Sequence, residues 1–135
     1  MVQQTPCING YLNGMMQAIT FFRTSTNYEE KKLTAQFMSI FLCIASRPGV
    51  SQEEIRAFTN VPGPTLTFIL GKLGDNHRDE NKDPLKWIIQ KRSADDYKRK
   101  QCFLTPKGQI AADYITSLLS QHEENNWIPI DKDVG

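Results

Sequence analysis

The 135-residue chain has no CxxC pair, three cysteines and two histidines. Cys7, Cys43 and Cys102 are odd in number and widely separated, and a tetrahedral zinc site would have to gather them with His77 and His122 from distant segments. Neither a metal nor a cofactor is expected. Long hydrophobic runs are also missing: stretches such as Ile40 to Ala45 fall far short of a membrane span, so no membrane is expected as a partner. At the start, Met1-Val2-Gln3-Gln4-Thr5-Pro6 lacks a basic patch leading into an apolar stretch, which sets the expectation of no secretory signal and a cytoplasmic location. Catalytic pairings are scarce. Asp95-Asp96 falls in a predicted turn and the acidic pair Glu53-Glu54 is explained by helix capping, so no enzyme is expected.

What is present is ordinary in bulk and uneven in detail. Hydrophobic residues make up 39% and charged residues 23%, and residues 1–135 read as one domain with its own core. The net charge of +1 hides a polarity along the chain. From Lys86 to Lys107, seven basic residues (Lys86, Lys91, Arg92, Lys98, Arg99, Lys100, Lys107) face two acids (Asp95, Asp96), a local balance of +5. Beyond Lys107 the balance is −4. A concentrated basic segment on a near-neutral chain can bind a polyanion locally; the plainer reading is a solvated hairpin.

Periodicity divides the chain. Residues 9–24 form a predicted helix, with Tyr11, Met15, Ile19 and Phe22 on one face and Leu12, Met16 and Phe21 widening it, closed by Thr24-Ser25-Thr26-Asn27. A second helix over 34–46 buries Phe37, Ile40, Phe41 and Ile44 and stops at Arg47-Pro48-Gly49. Ser51-Gln52-Glu53-Glu54 is a capping box that starts a short helix to about Phe58. After a turn, Pro64 suits the first position of another helix, with Leu66, Ile69, Leu70 and Leu73 inward and Gly74 as its stop. That leaves Thr65, Thr67, Phe68, Gly71 and Lys72 outward. A polar loop spans 75–84. Strands are predicted at Lys86 to Lys91 and Lys100 to Leu104, and Thr105 caps a last helix from Pro106 to about Glu124, with Ala111, Tyr114, Ile115, Leu118 and Leu119 on one side.

The fold class that follows is mostly α with a small β-hairpin: a winged helix-turn-helix with flanking N- and C-terminal helices. The second helix of such a pair is narrow enough for the major groove, and its outward residues can meet base edges; a basic hairpin can reach neighbouring phosphates. On that reading the partner is double-stranded DNA, contacted by Thr65, Thr67, Phe68 and Lys72 of the helix and Arg92, Lys98, Arg99 and Lys100 of the hairpin, with 34–105 as the DNA-binding core. Phe68 has two readings, a thymine methyl or the wing. The apolar surplus of the first helix, together with Tyr114, Ile115, Leu118 and Leu119 of the last, sets the expectation of a homodimer joined through residues 9–32 and 106–124. Two other readings stand beside a dimeric repressor of transcription: a winged-helix module that binds protein, and a plasmid or viral replication or partition factor that binds DNA.

In order and spacing the motifs resemble those of the multiple-antibiotic-resistance regulators, the MarR family. Leu33-Thr34-Ala35-Gln36-Phe37 is similar to its "LTxxQ" start, and Val50 to Ile55 to its "lsqxeLA". Pro64 to Leu73 is similar to the recognition helix in register, and Asp96 through Leu104-Thr105-Pro106-Lys107-Gly108 to the "D-R-R…LTxxG" wing. The resemblance covers roughly residues 33–120 and implies a DNA-binding transcriptional regulator, with room for a small-molecule effector of unknown identity. Phe68 stands where relatives usually carry arginine, Gly71 replaces a common acidic residue, and Tyr97-Lys98 replaces the wing's arginine pair. Cys7 resembles, by placement alone, the sensing thiol of some members; without a flanking basic residue or histidine it reads first as an inert thiol.

Overall fold

A computed structural model describes residues 4–75, 83–95 and 99–120, with side chains from residue 10 onward. The first helix, α1, runs Gln4–Thr26, longer than expected at both ends. Its inner line is Gly10, Gly14, Ala18, Phe22 and Thr26, one residue every four, all buried. Tyr11 and Met15, read on one apolar face with Ile19 and Phe22, are exposed. Small residues carry little hydrophobic weight in a sequence, yet they decide which face can approach another helix. A β-carbon on Gly14 would overlap the Leu118 carbonyl oxygen of the last helix, so the two backbones touch there. At its end α1 closes with Asn27 at φ 62°, its N–H donating to the Arg23 carbonyl at 2.9 Å.

Helix α2 spans Lys31–Ser46 and starts three residues ahead of its predicted position, since the Glu30 carbonyl already accepts the Thr34 N–H at 3.0 Å. It buries Phe37, Met38, Ile40, Phe41, Cys43 and Ile44. Gly49, at φ 92°, turns the chain into β1, Val50–Ser51. This two-residue strand was not anticipated. It pairs antiparallel with β3 (Lys100–Leu104), which pairs with β2 (Ile88–Arg92), giving the order β1-β3-β2. The register sets Val50 opposite Cys102, and runs from Ile88 opposite Leu104 to Arg92 opposite Lys100.

Between β1 and β2 lie α3, Gln52–Thr59, and α4, Gly63–Leu73. The capping box is complete: Glu54 N–H donates to Ser51 Oγ at 3.1 Å, and Ser51 N–H to Glu54 Oε1 at 2.9 Å. Gly74 does end α4, although not in the left-handed conformation, for its φ is −96°. Strand β2 begins at Ile88 because Lys86 has φ 61° and Trp87 turns inward. The last helix, α5, is described over Pro106–Ser120; the predicted stretch to Glu124 lies outside the described residues. Thr105 caps it, accepting the Gly108 N–H at 3.0 Å while donating to the Lys86 carbonyl at 2.8 Å.

Trp87 joins these elements. Its ring lies parallel to Phe21 at 5.7 Å, and packs on Phe22 at 6.1 Å and Phe41 at 5.2 Å. Its carbonyl accepts the Thr105 N–H at 2.9 Å, and Gly108 sits so close beneath that a β-carbon there would overlap it. In the same core Cys43 of α2 and Cys102 of β3 are both buried. Burial pushes the Cys102 thiol up to about 11, with Cys43 adding to the shift, and raises Cys43 as well.

Candidate nucleic-acid interface

The pair α3–α4 is held apart by Asn60 at φ 60°, whose N–H donates to the Arg56 carbonyl at 2.8 Å, and by Val61, buried in the turn. Helix α4 buries Leu66, Ile69, Leu70 and Leu73, as expected. The outer face divides in two. Over the first turns Thr67 is exposed and Thr65 half-buried, with Thr67 Oγ1 donating back to the Gly63 carbonyl at 3.2 Å. Groups this small let a major-groove floor approach the helix closely.

Farther along the face is covered. Phe68 meets the Tyr28 ring edge-on at 5.5 Å, and Tyr28 stacks on Phe37 at 6.1 Å. Phe68 thus packs against the linker between α1 and α2, which neither sequence-based reading foresaw. Lys72 requires a correction too. It was expected on the outer face, yet it is 2% exposed; its Nζ donates to the Asp83 carbonyl and lies 6.0 Å from the Tyr28 ring centre. The physical cause is the chain that returns after the loop. Leu85, Lys86 and Trp87 donate their N–H groups to the carbonyls of Lys72, Gly74 and Leu73 at 2.8, 2.8 and 2.7 Å. The last carbonyls of α4 are satisfied in this way, and Lys72 is roofed over.

The wing is β2 and β3 with the connection between them. Arg92 and Lys100 are cross-strand partners at its outer end, both exposed. Arg99 is exposed and sits 3.2 Å from the Glu54 carboxylate of α3. Lys98 lies outside the described residues, as do the middle of the 75–84 loop and the side chain of Cys7. Gln52 at the start of α3 donates to Gln90 of β2 at 2.5 Å, a second tie between the helix pair and the wing. The Glu54 carboxyl is held below the usual range, first by the Ser51 backbone N–H, then by the Ser51 hydroxyl, with Arg99 adding to them.

Two basic residues were not among the expected DNA contacts: Lys91, counted only in the charge of the hairpin, and Arg56. Lys91 lies over the Phe103 ring at 5.5 Å, on the opposite face of the wing from Arg92. Arg56 is exposed on α3, and a β-carbon on Gly63 would lie 3.7 Å from its guanidinium carbon, so this cation stands beside the start of α4. Its signal was positional: it is the basic residue in the last turn before the helix-pair turn. Among the described residues no group of three or more His, Cys, Asp or Glu is placed to hold a metal ion, and no helix is long and apolar enough to cross a membrane.

Solved structures share this arrangement. The chain matches S. aureus MepR, solved as a DNA complex, with a TM-score of 0.57 and 22% identity, over 82% of this chain and 79% of that one. It matches MarR with a TM-score of 0.54 and 21% identity (83% and 77% covered), and the PcaV transcriptional regulator from Streptomyces coelicolor with 0.55 and 13% identity (82% and 72% covered). No family model and no curated protein matches the sequence. Among the described residues, five helices and a three-stranded antiparallel sheet in this order define a winged helix-turn-helix. More narrowly, the fold is MarR-like.

Proposed function

We propose that the chain is a double-stranded-DNA-binding transcriptional regulator, acting as a dimeric repressor. The observation that carries this reading is one surface combination on a MarR-like fold: a second helix whose exposed first turns present small polar side chains, and a wing that ends in cationic Arg92 and Lys100. Thr65 and Thr67 are the base-facing candidates, and Arg56 joins the wing as a phosphate candidate. The S. aureus MepR structure is a DNA complex and PcaV has been solved with its natural ligand, which supports DNA and a small-molecule effector as ligand classes here. An electrophoretic shift with random duplex at two salt concentrations tests the reading. A shift that weakens steeply with salt is expected, and no shift at the lower salt would overturn it.

The homodimer belongs to the same proposal. Tyr11, Leu12, Met15 and Met16 of α1 and Tyr114 of α5 are exposed, and the two helices cross backbone to backbone at Gly14. A second copy covering this apolar surface by two-fold symmetry would set two α4 helices roughly 34–36 Å apart, one duplex turn. Sedimentation equilibrium at micromolar concentration is expected to give twice 15.4 kDa. A 15.4 kDa species that still binds DNA would reject the dimer and, with it, a palindromic site.

The protein-binding alternative loses one support, since Phe68 is engaged with Tyr28. It gains another in Phe58, 72% exposed on α3 beneath Arg47.

A further inference from the structure

We propose that Glu54 is a brake on the wing: its carboxylate occupies Arg99, so that Arg99 positions the hairpin in the resting protein and adds nothing to DNA affinity until the pair is broken. The inference rests on the DNA-binding reading and concerns the regulation of that same surface.

Three observations carry it. Arg99 Nη2 lies 3.2 Å from Glu54 Oε1, the oxygen that also accepts the Ser51 N–H at 2.9 Å. The carboxylate is therefore fixed by the helix cap before it meets the arginine, and the ordering of one partner is already supplied by the fold. The Arg99 main chain is also held, for its carbonyl accepts the Ser93 N–H at 2.8 Å at the root of the hairpin tip. Around the pair, Ser51 aligns with Gln101 in the β1–β3 ladder and Gln52 binds Gln90. These ties hold the wing's base against the start of α3 and keep donor and acceptor in register.

Both side chains remain about half open to water, Arg99 at 42% and Glu54 at 51%. A duplex phosphate reaching this edge meets an arginine whose charge is already matched and a carboxylate that repels it. Glu54 thus holds the Arg99 charge in reserve.

Glu54→Gln separates the two roles of the residue. A glutamine at this helix position still reaches back to the Ser51 N–H, so the cap survives while the charge on Arg99 is released. Binding of random duplex is to be measured by fluorescence anisotropy from about 0.05 to 0.3 M salt, with thermal melts confirming that each variant folds. For Glu54→Gln the expected result is about fivefold tighter binding near 0.15 M salt and a log–log slope steeper by about 0.9, one further phosphate contact. Arg99→Ala alone should leave the slope unchanged, and Arg99→Ala placed on Glu54→Gln should restore the wild-type slope. An unchanged slope in Glu54→Gln would overturn the proposal, whether or not affinity rises. So would a flatter slope in Arg99→Ala alone, because Arg99 would then already contact phosphate. A wild-type chain that binds no duplex would remove the DNA reading and this proposal together; a binding wild type with a salt-silent Glu54→Gln removes the proposal only.

Discussion

Trp87→Ala is expected to cost about 3–5 kcal/mol of stability and to lower the melting temperature by on the order of 10–20 °C. The residue is 5% exposed and is the meeting point of Phe21 and Phe22 of α1 with Phe41 of α2, at the position where the chain leaves α4 and enters the wing. Removing the indole leaves a cavity walled by three rings that belong to two helices, and those walls cannot close without moving the helices. The backbone sharpens the effect: the Trp87 N–H and carbonyl are committed to Leu73 and Thr105, so the residue's main chain cannot slide to fill the space. Phe58→Ala, which removes a comparable ring from a 72% exposed site, is the control and should change stability by no more than about 0.5 kcal/mol. Thermal or urea unfolding followed by circular dichroism measures both. Similar small losses in the two variants would show that Trp87 does not join α1 and α2 to the wing.

The second large effect is on binding. Arg92→Ala with Lys100→Ala is expected to weaken association with any duplex by on the order of 10- to 100-fold near 0.15 M salt, and to flatten the log–log salt slope by about 2. The two residues are exposed cross-strand partners, far from the aromatic core, so the fold should survive their loss. Because phosphate contacts carry no sequence information, the loss should be equal on random and selected DNA. Anisotropy titrations on both duplexes measure it. A loss confined to selected DNA would make the wing tip a reader of sequence, and an undiminished slope would take the wing off the DNA.

Local chemistry was legible in the residues. Ser51 and Glu54 announce their capping box, Pro64 marks the start of α4 to within one residue, and Lys100 to Leu104 forms the strand expected of it. In each case the signal is a short-range requirement of the backbone. The misses concern what comes from far along the chain. Lys72 looks like a solvated helix-surface lysine until the segment from Asp83 to Trp87 folds back over it. Phe68 looks available to a groove until Tyr28, forty residues earlier, meets its edge. Strand β1 is two residues long and overlaps the capping motif, so it had no periodicity of its own; only β3 makes it a strand. The buried line of α1 was not read, because Gly14, where α5 approaches, and Ala18 weigh less in a hydrophobic pattern than the exposed Tyr11 and Met15. Of the site, the helix and the wing could be placed from sequence, while the division of α4 into an open first half and a covered second half could not.

The paired thiols of Cys43 and Cys102 turn the protein into its own stopwatch. Each is walled in by the packing of α2 against β3 and is a poor nucleophile where it stands. A small disulfide reagent can reach them only in the moments when the sheet lifts from the helix. In a background where Cys7 is replaced by serine, the rate of thiol modification therefore follows the fraction of molecules that are open, with no duplex, dye or denaturant present. Any ligand that clamps the wing to the helix pair would slow the clock, and by that delay would declare itself before its target sequence is known.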